Sequence, residues 1–453
     1  MSDIDIEYAW AAVGGDPGLP SRVTAVARED ALPSRLPVRE LARACVGACA
    51  LAAAELGARR AGLAEVPGVR VDDGAVATAF VSERHLLIDG RAPVAFAPLS
   101  RFWRTADGWI RTHANYPHHR ERLLTVLGPP ETLEAVLAER SAAEVEEAVC
   151  AAGGLAFAVR RAEEWARHPQ AAAVAGRPLV ERERLDSAPA RALPPAAAAL
   201  PLDGVRVLDL TRVIAGPVAT RTLALLGADV LRVDPPRHPE LPDQHADTGF
   251  GKRSAVLGLD TDRRAFEELL ARADVVVTGY RPGALDRFGL APAALAERRP
   301  GVVVAQLSAW GAYGPWAGRR GFDSLVQAAT GISLLEGAPD APGALPAQAL
   351  DHGTGYLLAA AVLRALSERH DEGGSRVVRL ALARTAHWLT TGTGTGADDP
   401  AGLPYEDPGP WLRERDGALG RLRYALPPVA YAGGPADWAR PPGAYGTDPA
   451  RWT

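Results

Sequence analysis

Three stretches of this chain carry residue types at spacings that could do chemistry. In Gln348-Ala349-Leu350-Asp351-His352-Gly353-Thr354-Gly355-Tyr356, just ahead of an apolar helical pattern from Leu357 to Leu366, Asp351 stands where a helix N-cap belongs. Capping is the ordinary use of that position. The same geometry has a second use, because a carboxylate at a glycine-flanked helix start can approach a thioester carbonyl while free backbone N–H groups stabilise the developing oxyanion. Attack on an acyl-CoA gives a mixed anhydride and releases the CoA thiolate, which returns to form an enzyme-bound thioester. Two such exchanges move CoA between acids without hydrolysis.

The second stretch is Phe250-Gly251-Lys252-Arg253-Ser254, which holds the only lysine of a chain whose other basic residues are arginine. A lone amine kept among guanidiniums suits phosphate as a compact point charge. About thirty residues on, Tyr280-Arg281-Pro282-Gly283-Ala284-Leu285-Asp286-Arg287 adjoins the next strand, so Lys252, Arg253 and Arg287 are expected to converge on phosphates, with Tyr280 offering a ring to an adenine or pantetheine face. Each element taken alone is a solvated charge or a turn. The third stretch is the turn Thr211-Arg212-Val213-Ile214-Ala215-Gly216-Pro217. It has one glycine where a dinucleotide fingerprint needs G-x-G-x-x-G, and the chain has no P-loop, so NAD and FAD are disfavoured. The plain structural reading is a tight connection with Pro217 at the first helical position.

These residues need elements to position them. Val205 to Leu210, Val230 to Val233, Ser254 to Leu257, Val275 to Thr278 and Val302 to Leu307 read as strands, alternating with helical patterns at Val218 to Leu226, Thr261 to Ala273 and Pro292 to Arg299. Strand, helix, strand in about 30 residues is a βαβ unit, and its repetition predicts an open, doubly wound α/β sheet. The Pro/Ala-rich run 188–201 ahead of it has no apolar period and reads as a linker. Earlier residues differ in texture: an Ala-rich helix over Val38 to Arg60, a strand Val69 to Asp72, a hairpin around Asp107-Gly108, and helices at Glu131 to Glu139 and Ala143 to Ala152. The pattern of Leu41 to Asp72 echoes that of Tyr356 to Leu382, which suggests a degenerate duplication, although the first copy has no clear carboxylate where the second has Asp351.

Composition bounds the partners. The 453 residues are 47% hydrophobic with a formal charge of −5 and no block of like charge, which argues against nucleic acid. Cys45, Cys49 and Cys150 are too few for a disulfide framework and read as buried thiols. Met1 to Trp10 is acidic without an apolar core, and no later apolar run approaches the roughly 20 residues of a membrane span, so a cytoplasmic protein without membrane contact is expected. His113, His118 and His119 form no zinc pattern and read as a polar loop, and Thr390 to Gly396 reads as a flexible linker or a flap over the site.

In combination, Leu202 to Arg212, Ala215-Gly216-Pro217, Leu226 to Val230, Gly251 to Ser254, Arg281-Pro282-Gly283 with Arg287, Gly314 to Gln327 and the Asp351 segment resemble the family III CoA-transferases, the CaiB/BaiF group, over residues 201–395. The resemblance implies a Rossmann-like CoA-binding large domain with a smaller α+β domain. It implies that Asp351 carries the acyl group and that Arg212, Val213, Ile214, Ala215, Lys252, Tyr280 and Arg287 lie against coenzyme A. The substrates would be an acyl-CoA and a carboxylic acid, without metal or NAD. A homodimer follows too, because the family's enzymes form interlocked rings. The order of parts departs from the family's. Trp103 to Trp109 and Arg160 to Pro169 resemble its small domain but precede the large one, while Arg440 to Trp452 resembles its usual ending. The expected division is a partial large-domain-like segment at 1–85, a small domain at 86–187, the linker at 188–201 and the CoA-binding domain with its tail at 202–453. A racemase branch of the family epimerises 2-methylacyl-CoA with a histidine where this chain has Phe322, which cannot exchange protons. Transfer is therefore favoured over racemisation and over CoA binding without catalysis. His352, the remaining base candidate, reads as an exposed helix-start residue.

Overall fold

A computed structural model describes residues 3–394, 396 and 405–453. Its largest element is a seven-stranded sheet, whose strands are β1 Glu181–Arg184, β2 Arg206–Leu210, β3 Asp229–Asp234, β4 Arg253–Val256, β5 Val275–Thr278, β6 Val303–Ser308 and β7 Arg376–Ala381. Their order is β4-β3-β2-β5-β6-β7-β1. The first six in that order are parallel, with Val207 of β2 facing Val230 on one side and Val275 on the other. Valine-rich runs form these strands because helices cover both faces, so nothing in β5 reaches water. The five strands expected from sequence are all present, with ends displaced by at most one residue.

Five helices matter for the site: α1 Val38–Ala61, α2 Ala215–Leu225, α3 Asp323–Ala329, α4 Ala349–Glu372 and α5 Leu382–Thr391. Helix α1 lies along α4. Small residues allow the approach: a Cβ on Gly353 would stand 3.1 Å from Leu41 and 3.4 Å from the Cys45 sulfur. Leu41, Val46, Leu51 and Leu56 are wholly buried in this contact region, each worth about 1.5–3 kcal/mol. By length and composition α1, 24 residues long with an 18-residue window of mean hydropathy 1.5, passes for a membrane span, which corrects the expectation that no run comes close; 94% of that window is buried inside the protein. Cys45 and Cys49 are buried free thiols on α1, whereas Cys150 is only half-buried. The echo between the two halves is structural as well: α1 leads to a strand at Val69–Asp72 and a helix at Asp73–Phe80, as α4 leads to β7 and α5.

Two expected boundaries need correction. Residues 181–184, assigned to the small domain, form β1 and close the main sheet as its antiparallel edge, Arg184 facing Arg376. The alternating charges of Glu-Arg-Glu-Arg hide a strand from apolar pattern-reading, yet charged residues are what an exposed edge tolerates; Arg379 reaches Glu183 at 3.0 Å. The 188–201 stretch has no helix or strand but is not a loose tether. The Arg60 guanidinium donates to the carbonyls of Pro194 and Pro201, both at 2.8 Å. Residues 102–158 form a three-stranded antiparallel sheet with a buried cluster of its own that includes Trp103, Ile110, Leu123 and Val145. The tail returns to the front of the chain: its hairpin of Leu412–Gly417 and Gly420–Ala425 adds to the strand Leu87–Ile88. Of the Thr-Gly run, Thr390 and Thr391 end α5 and Thr393 pairs with Ile4, while Thr395 lies outside the described residues.

Candidate functional site

A cleft of about 350 Å³ opens at the carboxyl ends of β2, β5 and β6. Strand order reverses between β2 and β5, and open α/β sheets take ligands at such a point. One wall is the turn Arg212–Ala215; Tyr280 and Arg281 after β5 form another. Val213 sits at φ +70°, which is strained for a β-branched residue and costs about 1–3 kcal/mol. Glu240 holds it there. One Glu240 oxygen accepts from the Val213 N–H at 3.0 Å and from Arg232 at 3.1 Å, the other from the Leu241 N–H at 2.9 Å and from the Tyr116 hydroxyl. Burial alone would push this carboxyl up, but Arg232 and Arg212 overcome it and bring Glu240 down to about 2. Asp234, 2.6 Å from Arg232 on the other side, is pushed up by its burial and by the charge of Glu240, against the pull of Arg232.

Helix α4 brings Asp351 beside this turn because Gly355 lacks a side chain: a Cβ there would lie 2.6 Å from the Ala215 carbonyl oxygen. Asp351 is not the N-cap. Gln348 is, and Asp351 is the third helical residue. Asp323, from the start of α3, does the capping from outside, accepting the Asp351 N–H at 2.9 Å and bonding the Leu350 N–H as well. Those two donors are therefore not free for an oxyanion, contrary to expectation. The Gln327 amide donates to the other Asp323 oxygen, and its own carbonyl accepts from the Leu345 N–H at 2.9 Å. Asp351 keeps its carboxyl unbonded among the described residues. It is 6% exposed, and burial with Asp323 and Glu83 nearby pushes that carboxyl well above the ordinary carboxylate range. Burial pushes Asp323 itself up to about 6.

Asp351 also lines a second cavity of about 280 Å³, which shares Val213, Ile214 and Phe322 with the first. The first cavity is the basic one. Among the described residues its Arg122, Arg281 and Arg320 have no carboxylate partner, bonding only the carbonyls of Gly153 and Gly318 where they bond at all. Burial, then Arg281 and Arg122, lower the Arg320 guanidinium from its ordinary value. An anionic ligand relieves such a cluster. Burial likewise pushes His118 down to about 4 and His119 to about 2, so both imidazoles are neutral at pH 7. His238, at φ +61°, places its ring 4.4 Å from that of His118.

Of the residues expected from sequence, Asp351, Arg212, Val213, Ile214, Ala215 and Tyr280 come together in the cleft. Lys252 does not. It is 4% exposed, its amine donating to Asp209, the Pro217 carbonyl and Thr220 at 2.5–3.0 Å, so it clamps β2 to α2 behind the turn. Burial pushes it down to about 8 despite Asp209. Arg253 pairs with Asp229 at 2.8 Å. Arg287 is exposed on a single 3₁₀ turn, over the Phe288 ring, and lines neither cavity. Pro217 is the third residue of α2 rather than the first, still among positions whose N–H has no helical partner. His352 is fully buried, 3.7 Å from Glu83. No group of three metal-binding side chains occurs among the described residues. Sequence reasoning missed Tyr116, His118, His119, Arg122 and Arg320. The cue was there in the dense aromatic and basic run 116–122, but nothing local told that it folds back over a sheet whose first strand begins about sixty residues later.

Residues 202–404 match the model of CoA-transferase family III. Over this segment the chain is similar to that family. It is similar to an acetyl-coenzyme A transferase of Hypoxylon pulicicidum, 37% identical over 43% of this chain and 34% of that protein. It is similar to a probable fatty acyl-CoA transferase of Mycobacterium tuberculosis, Rv3272, 33% identical over 50% of this chain and 62% of that one. An acetyl-CoA:oxalate CoA-transferase of Acetobacter aceti is 39% identical over 31% of this chain and 40% of the other. A crystal structure of Rv3272 aligns with TM-score 0.40 at 36% identity, covering 42% of this chain and 57% of that one. The chain thus spans between 34% and 62% of these curated relatives. Tyr116, His118, His119 and Arg122 of the first cavity and His113 and Asn115 of the second lie outside the matched family III segment.

Proposed function

We propose that this chain moves coenzyme A from an acyl-CoA to a carboxylic acid, with Asp351 as the carboxylate that takes the acyl group. The observation that carries the reading is the position of Asp351: an unbonded, buried carboxyl where two cavities meet, one of them bordered by guanidiniums without carboxylate partners at the switch point of the sheet. The order β4-β3-β2-β5-β6-β7 of its six parallel strands, with the first strand of the series beside the fourth, supports a Rossmann-like nucleotide site there. CoA phosphates would face Arg281, Arg320 and Arg122, and the thioester would reach Asp351.

An Asp351 oxygen attacks the thioester carbonyl, the C–S bond breaks, and an acyl-aspartyl anhydride and CoA thiolate result. The thiolate attacks the aspartyl carbonyl, releasing the first acid as its carboxylate and leaving CoA as a thioester on Asp351. The acceptor carboxylate attacks that thioester, and the thiolate it frees attacks the new acyl carbonyl, which regenerates Asp351. Water must stay out, and Tyr116, Ile214 and Phe322 supply cover. The raised carboxyl of Asp351 makes a stronger nucleophile once ionised, at the expense of its ionised fraction, so activity should rise with pH through its titration. A cytoplasmic homodimer belongs to the same reading and is checked by light scattering.

Incubation with an acyl-CoA and hydroxylamine should convert Asp351 to a hydroxamate, read by peptide mass; full transferase activity in Asp351→Ala sinks the mechanism. Racemisation is the second reading, because the His113 ring stacks on Phe322 at 4.2 Å and both line the second cavity with Asp351. Burial pushes His113 down to about 3, a weak base. Exchange of the α-proton with deuterated water in the absence of acceptor would favour it over transfer.

A further inference from the structure

The second cavity differs from the first in charge as well as place. Its walls are largely apolar: Pro93, Val94, Phe96, Leu241, Pro242 and Phe322. The histidine among them, His113, is neutral. Its one arginine, Arg84, lies 3.6 Å from Glu83, and Asp243 is taken by Arg91 at 2.6 Å. The charges at its border are thus balanced apart from Asp351. The first cavity holds the spare guanidiniums.

One cation stands just outside. Arg111 is 8% exposed and has no carboxylate partner among the described residues; its guanidinium lies between the rings of Phe96 at 5.0 Å and Phe102 at 4.8 Å. Arg111 does not line the cavity, but Phe96 does. The phenyl ring therefore turns what would be a carboxylate-binding corner into an apolar one. Residues 83–115, which supply much of this wall, lie outside the matched segment 202–404.

Resting on the CoA-transfer reading, we propose that the second cavity receives the acyl group and that it selects uncharged acyl groups over dicarboxylic ones, with Phe96 deciding the selection by screening Arg111. A terminal carboxylate entering there would meet no free cation and would stand near Glu83 and Asp351, against a wall still partly open to solvent, Val94 being 73% and Phe96 39% exposed. Butyryl-CoA and succinyl-CoA, matched in carbon count and differing in that terminal carboxylate, are the probes.

The experiment offers the full chain each thioester with hydroxylamine and no acceptor, measuring the rate of Asp351 hydroxamate formation against thioester concentration. Butyryl-CoA should exceed succinyl-CoA by about 100-fold in the second-order rate constant of labelling. Phe96→Ala should narrow the gap to within about tenfold by exposing Arg111, and the double variant Phe96→Ala/Arg111→Gln should restore it. Phe96→Trp, which fills the cavity, should slow butyryl-CoA more than acetyl-CoA and so reports on the cavity even if Phe96→Ala fails to fold. Equal or better use of succinyl-CoA by the unaltered chain, with Asp351 labelled by both, overturns the selection while leaving CoA transfer standing. If no thioester labels Asp351, the transfer reading fails and takes this proposal with it.

Discussion

Glu240→Gln keeps the shape of a side chain and removes the charge around which one wall of the cleft is organised. The carboxyl is brought from its ordinary 4.5 to about 2 in the folded protein, and each tenfold change in proton affinity is worth about 1.36 kcal/mol, so ionised Glu240 contributes about 3 kcal/mol at pH 7. Burial at 4% exposure means little of this is screened by solvent. A glutamine cannot replace it, since its amide nitrogen would face either the Val213 N–H and Arg232 or the Leu241 N–H and Tyr116 hydroxyl. The sign follows from the lowered carboxyl: its contribution is complete above about pH 4.5 and is lost as pH falls towards 2. Urea unfolding at pH 7 should therefore show the variant about 3 kcal/mol less stable, with the gap shrinking on acidification through that window. With Val213 no longer pinned at its strained φ, KM for the acyl-CoA should rise more than kcat falls. A loss under about 1 kcal/mol, or a gap indifferent to acid, would refute the account of Glu240 as the organiser of the wall.

Lys252→Met leaves the buried Asp209 without its cation and should cost about 3–5 kcal/mol in urea unfolding. KM for acyl-CoA in the folded fraction should change less than about threefold; a larger rise would restore the phosphate role. Asp351→Asn should abolish transfer yet stabilise the fold at neutral pH: burial raises the folded carboxyl, so the native chain loses stability as pH rises through its titration while the variant does not. Parallel curves of stability against pH would contradict this. Arg320→Ala, which removes a guanidinium without a carboxylate partner, should raise KM for acyl-CoA about tenfold with kcat little changed, most strongly at low salt.

The sheet was legible because buried parallel strands must be apolar throughout: Val275 to Thr278 announces itself and sits as expected. Strand β1 was not legible, since an edge strand is free to be Glu-Arg-Glu-Arg. The same division runs through the site. The Arg212–Ala215 turn is a local feature tied to a strand end, whereas Asp351 was singled out by its place in the family-like segment, and the N-cap position read for it locally belongs to Gln348. Lys252 was misassigned because residue type says what a group can bind and not which way it points; Asp209, 43 residues earlier, decides that. The capping of α4 by Asp323 and the delivery of residues 113–122 to the cleft depend on packing between segments far apart in the chain, which no local period encodes.

Helix α1 sets a problem for biosynthesis. The partner that covers it, α4, begins 349 − 38 = 311 residues later, and at ordinary elongation rates of about 5–20 residues per second that is roughly 15–60 s. Through that interval a segment as apolar as a membrane anchor emerges from the ribosome without the surface it is shaped to meet. Of the elements packed on α1, the strand Val69–Asp72 and the helix Asp73–Phe80 are made early enough to cover part of it meanwhile. Ribosome-bound chains arrested before residue 349 should crosslink to chaperones through α1, and chains extended past residue 391 should not; equal crosslinking at both lengths would show that α4 is not what releases it.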